Sequence, residues 1–167
     1  LKHGADLLWI ETEKPNVAQI AGMVNEVRKH VPDAKLVYNN SPSFNWTLAF
    51  REQVYGEWQA EGKDLSAYPD PATTPRGLMA LEMDETPLAQ EADQLVQQFQ
   101  RDASREAGIF HHLITLPTYH ETALGTDVLS QGYFGNLGML AYVRDIQRQE
   151  IRRDMASVKP VSYTHLT

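Results

Sequence analysis

Apolar positions along this chain recur in two alternating rhythms. Residues 6–10 (DLLWI) form a short, nearly continuous apolar run, the pattern of a strand buried on both faces. Pro15 suits the first turn of a helix, and Val17, Ile20, Val24, Val27 and Val31 then repeat at spacings of three and four, one face of an amphipathic helix. A turn at PDA leads into a second strand, KLVYN (35–39). Strand, helix and strand within this distance make a βαβ unit, which belongs to a parallel sheet. The pattern predicts a helix over 47–61, a proline-rich excursion over 62–77, and a helix opened by Thr86 and Pro87 with Leu88, Ala92, Leu95 and Phe99 as its buried stripe. A third strand, GIFHHLIT (108–115), follows. The remainder reads as helical, interrupted around 130–136 (SQGYFGN), with Met139, Val143 and Ile146 on one side of the last helix.

Three strands, each followed by a helix, fit a doubly wound sheet or part of a (β/α)8 barrel, and both place ligands at the C-terminal ends of parallel strands. Three polar sets fall at such ends: Glu11 with Thr12; Asn39, Ser41 and Ser43; and Thr115. If 39–43 is extended, its alternate residues share a face and present one amide and two hydroxyls in a row. Neutral donors of this kind hold a carboxylate or carbonyl oxygen without adding charge. The same residues also suit a polar turn whose Ser and Asn side chains cap the following helix. Glu11, at the end of an apolar strand, is expected to be partly buried, as an acid/base group, a metal partner or a paired rim residue.

Composition narrows the chemistry. With 42% hydrophobic residues in 167, the chain can form one core. A net charge of -7 argues against nucleic acid and anionic membrane as partners, and the basic stretch 144–153 is interleaved with acids. No apolar run is long enough to span a bilayer, and no signal-peptide core is present at the start. The absence of cysteine removes thiol chemistry from this chain. His111 and His112 are adjacent on a strand and face opposite sides, so they do not chelate together. His120 lies near the third strand end, where a lone histidine is more often structural. No H-x-x-x-H zinc spacing, nucleophile elbow, Walker loop or G-x-G-x-x-G is present.

WIETEKP (9–15), YNNSPSFNW (38–46) and ITLPTYH (114–120), in this order, resemble the C-terminal part of the isocitrate lyase family, over about residues 5–159. The Asn-x-Ser-Pro-Ser-Phe-Asn-Trp string is highly specific. The resemblance implies an α/β fold: the C-terminal portion of a (β/α)8 barrel of the phosphoenolpyruvate-mutase type, carrying its last three strands and extra C-terminal helices. The segment before REAGIFHHLITLP, about 62–104, looks like an extended insertion found in one subgroup. The activity implied is Mg2+-dependent cleavage of isocitrate to glyoxylate and succinate in the glyoxylate cycle, in the cytoplasm. Asn39, Ser41 and Ser43 match substrate-carboxylate positions, Thr115 with Leu116 another substrate contact, and Glu11 an acid near the metal that acts through water. Where the family often has Asn-Cys-Ser, this chain has Asn39-Asn40-Ser41.

The family's protonating cysteine, substrate arginine and direct Mg2+ ligands match nothing here, so the chain is expected to be a fragment, inactive alone. Residues 160–167 (PVSYTHLT) depart from the family pattern and read as a non-native tail. Two alternatives stand beside this: a 2-methylisocitrate lyase of the same superfamily, and a non-catalytic assembly segment. The latter reflects the family's helices after the last strand, which exchange between subunits and imply a homotetramer.

Overall fold

The structure, a computed structural model, describes residues 4–155 and falls into two compact units that divide after Thr115. The first unit is a three-stranded parallel sheet, in the order β1 (Leu8–Ile10), β2 (Leu36–Asn39), β3 (His111–Leu113). Its helices are α1 (Val17–His30), α2 (Trp46–Ala60) and α3 (Pro87–Glu106). The α/β class and the parallel pairing agree with the periodicity.

Register sets the layers. Leu8 and Leu36, then Ile10, Tyr38 and His112, stand side by side across the sheet. Leu36, Ile10 and Tyr38 join Ile20 and Val24 of α1, Phe50 and Val54 of α2, and Leu88, Ala92 and Phe99 of α3 in one apolar core. Phe99 is its centre: the ring lies 5.7 Å from Tyr38, 5.2 Å from Trp46 and 5.8 Å from Phe50. Two of these contacts are edge-on, the arrangement that suits the aromatic quadrupole.

The helix ends follow local chemistry. Asn16, Asn45 and Thr86 accept backbone N–H bonds from Gln19, Leu48 and Ala89, and so cap the three N-termini. Pro15 therefore precedes the cap of α1 instead of occupying its first turn. The excursion after α2 contains two single 3-10 turns, Gly77–Met79 and Leu81–Met83. Buried Arg51 of α2 anchors it, donating to the Leu78 carbonyl at 2.7 Å and to Asp84 Oδ1 at 2.6 Å.

One expectation needs correction. Residues 6–10 do not form a strand buried on both faces: β1 is an edge strand of three residues, and Trp9 is 52% exposed. Only the central strand β2 is buried at every position. Ile10, Leu36 and Tyr38 face the helices, and the residues that alternate with them along the strands face the other way.

The second unit opens with α4 (Pro117–Gly132) and passes through a π-helical turn, Tyr133–Leu137, where Gly135 leaves helical geometry. This is the interruption that 130–136 predicted. Short helices α5 (Met139–Tyr142) and α6 (Arg148–Arg152) follow, joined by a second π turn. Leu124, Val128, Phe134, Met139 and Leu140 are all exposed. The tail assigned to 160–167 lies outside the described residues.

Gly108 ends α3 with φ of +69, where L side chains are strained, and its carbonyl accepts a bond from Arg28 Nη2 at 2.9 Å. A Cβ here would run into the Arg28 guanidinium. Gly108→Ala is expected to lower unfolding free energy by at least ~1–2 kcal/mol, from left-handed strain alone. A denaturant midpoint unchanged from the parent would refute this.

Candidate active site

The face of the sheet turned away from the helical core carries the residues that alternate with the core set: Trp9 and Glu11 from β1 and its exit, Val37 and Asn39 from β2, Leu113 and Thr115 from β3 and its exit. At the C-terminal ends three of them join. Asn39 Nδ2 donates to Glu11 Oε1 at 3.1 Å, and Thr115 Oγ1 donates to Asn39 Oδ1 at 3.4 Å. Trp9 Nε1 donates to the same Glu11 oxygen at 2.9 Å. Asn39 is thus oriented by both ends of its amide, oxygen toward Thr115 and nitrogen toward Glu11. It is 6% exposed, whereas Glu11 is exposed, contrary to the partial burial expected. β1 lies at the edge of the described three-stranded sheet.

Ser41 and Ser43 do not extend the row begun by Asn39. The chain turns: Phe44 N–H donates to the Ser41 carbonyl at 3.2 Å, and Ser43 N–H donates to Ser41 Oγ at 3.2 Å. The Trp46 indole also donates to the Ser41 carbonyl, at 2.8 Å. A serine–proline–serine sequence favours this local turn over extension. The helix-cap alternative is half met, since the turn is present but Asn45, not a serine, caps α2. Because Ser41 Oγ accepts from Ser43, its own hydroxyl hydrogen remains available to a ligand. Leu116 is the first residue of the second unit and 67% exposed. Its φ of +54 is unusual for leucine, and such strain is common at functional sites. Among the described residues no three His, Asp or Glu side chains gather as metal ligands.

Residues 2–61, which supply two of the three strand ends, match the model of the Isocitrate lyase family. Over 159 residues the chain is 61% identical to an isocitrate lyase of Pseudomonas aeruginosa, covering 95% of this chain and 29% of that protein. It is 32% identical over 146 residues to an isocitrate lyase of Oryza sativa subsp. japonica, covering 87% of this chain and 18% of the relative. A mitochondrial 2-methylisocitrate lyase of Hypocrea atroviridis is 34% identical over 146 residues, with the same coverage, 87% and 18%. The chain belongs to the isocitrate lyase family. It spans under a third of the length of these relatives.

In this segment of the family the strand-end residues rest on a second row of polar contacts beneath the sheet. Thr12 Oγ1 donates to the Lys14 carbonyl at 2.8 Å, so the bond between Thr12 Oγ1 and Tyr38 Oη, 2.7 Å, takes its hydrogen from Tyr38. Burial pushes the Tyr38 phenol up, and the Thr12 bond opposes that only in part. The contact ties the chain beyond Glu11 to the fully buried Tyr38 ring. Asn40 points away from Asn39: its N–H and its Nδ2 both donate to the Leu113 carbonyl, at 2.8 and 3.1 Å. Its Nδ2 also lies 3.4 Å from His112 Nδ1, and His112 Nε2 is 3.0 Å from Ser104 Oγ. An amide hydrogen facing Nδ1 places the imidazole hydrogen on Nε2. His112 is structural, under the sheet, while His111 is exposed on the opposite side, as adjacency required. Sequence reasoning missed the Trp9 indole, although its position two before Glu11 on a strand was the available signal.

Burial, foremost, holds the His112 imidazole below the usual histidine range; neighbouring His111 adds to this, and the Gln100 carbonyl opposes it. A depressed folded value means the neutral ring's contribution is complete above the ordinary value, about pH 6.5. It is lost as pH falls through the depressed value. Unfolding free energy measured across this window should decline on acidification, and His112→Gln should remove part of that slope. An identical pH dependence in the variant would contradict the assignment.

Proposed function

We propose that this chain is the C-terminal part of a (β/α)8-barrel isocitrate lyase that cleaves isocitrate to glyoxylate and succinate. One observation carries the reading: Asn39 is held between Glu11 and Thr115 at the C-terminal ends of three adjacent parallel strands. That is where barrel enzymes bind their ligands. The first 159 residues are the barrel portion in this reading, with 62–104 as its insertion.

The chemistry asked of these residues is recognition of a carboxylate on the succinate side. When the substrate's carbon–carbon bond breaks, negative charge grows beside that carboxylate, and donors aimed at it strengthen with the charge. Asn39 has a second Nδ2 hydrogen beyond the one given to Glu11, and Ser41 has its hydroxyl hydrogen. Ser43, exposed after the turn, and Thr115 with Leu116 complete the contacts proposed. All are neutral, so they bind the dianionic product fragment without fixing it by charge.

Mg2+ is the cofactor of the activity proposed, and when bound it would neutralise charge on the glyoxylate oxygens. The described residues do not build its site: Glu11 is a single carboxylate, and one of its oxygens already accepts two hydrogen bonds. Glu11 therefore stands in a supporting position, reaching such a site through water, and the direct ligands belong elsewhere in the longer protein. The exposed apolar residues of α4 and α5 support a role for the second unit in a homotetramer. No described helix is long and apolar enough to cross a membrane.

The full-length protein, supplied with Mg2+ and either isocitrate or 2-methylisocitrate, tests the reading through glyoxylate or pyruvate release. Turnover of isocitrate is expected, with none from the 167-residue chain alone. Asn39→Asp keeps the side chain's shape but turns an oxygen toward Glu11 in place of a donor. It is expected to cut kcat/KM about 100-fold or more, the scale of losing one preorganised donor. Preferential cleavage of 2-methylisocitrate would move the assignment to that sister activity, and cleavage of neither substrate would end it.

A further inference from the structure

Glu11 raises a question that its neighbours answer. It is an exposed glutamate beyond the end of a three-residue edge strand, and such a side chain has several rotatable bonds to order. Yet Oε1 has two donors, Asn39 Nδ2 from the adjacent strand and Trp9 Nε1 from its own. Trp9 lies two residues before Glu11, so pleating puts both on the face turned away from the helical core. The indole has one hydrogen and accepts none, and the Asn39 nitrogen likewise only donates. Oε1 is thereby committed as an acceptor, and among the described residues no donor is given to Oε2.

We propose that Trp9 is a positioning residue for the lyase reaction: its indole N–H holds the Glu11 carboxylate so that Oε2 faces the substrate end of the sheet. The inference rests on the function proposed above. The Trp9 ring lies outside the aromatic core built around Phe99, and its N–H is given to Glu11. Phenylalanine would cover the same surface without the bond. Asn39 has the other contact to Glu11, but Asn39 is shared with Thr115 and, in the proposed function, with substrate. Trp9 is the donor to Glu11 that has no other acceptor among the described residues.

The test is a double-mutant cycle in the full-length enzyme, with Trp9→Phe and Glu11→Gln made singly and together. A second version replaces Trp9 by its sulfur isostere, 3-benzothienylalanine, which keeps the ring shape and lacks the N–H. Each Trp9 change is expected to lower kcat/KM about tenfold or more, the scale of a hydrogen bond to a charged group. In the Glu11→Gln background the same change should cost less than about twofold, because the group it positions is already altered. A structural role would give equal losses in both backgrounds and would overturn the proposal. Full activity in the isostere enzyme would overturn it as well, and that arm decides alone if Trp9→Phe fails to fold. An unmodified enzyme that cleaves no isocitrate would instead defeat the functional reading on which this rests.

Discussion

The alternation of β2 governs both halves of the first unit. Tyr38 turns to one side and enters the core against Phe99, fully buried. Asn39, the next residue, turns to the other side and meets Glu11 and Thr115. Because the pleat has period two, a slip of one residue would put the amide into the aromatic core and the phenol onto the site. Burial of Tyr38 is therefore what fixes Asn39 in place. The large apolar term and the precise polar one are set by a single backbone register.

The edge strands depend on that central strand. β1 and β3 are three residues each and have exposed positions, so neither holds its own side chains firmly. What orders their ends is contact with β2: Thr12 with Tyr38 Oη, and the Leu113 carbonyl with both N–H groups of Asn40. These bonds lie on the helix side of the sheet or at its end, away from the proposed ligand face. A loss in this supporting row would loosen Glu11 or Thr115 without touching a substrate.

Helix α3 makes the arrangement possible. It supplies Phe99 to the aromatic cluster and Ser104 to His112, and it ends at Gly108, where Arg28 of α1 reaches the carbonyl. The proline-rich excursion before it is long, but buried Arg51 ties that stretch back to α2. The long excursion between β2 and β3 thus still delivers a helix onto the same core.

The order of strands and helices, the start of α3 at Thr86, and the break near 130–136 were legible in the sequence, because periodicity and capping are local. The strand-end location of Glu11, Asn39 and Thr115 was legible too, and the resemblance of three short strings was enough to name the family. What the tertiary structure decided was which polar groups meet. Extension from Asn39 through Ser43 was a fair reading of alternate residues, but Ser41 and Ser43 bond to each other in a turn, and the row ends at Asn39. The partners of Asn39 come from 28 and 76 residues away, and no local pattern specifies such distances.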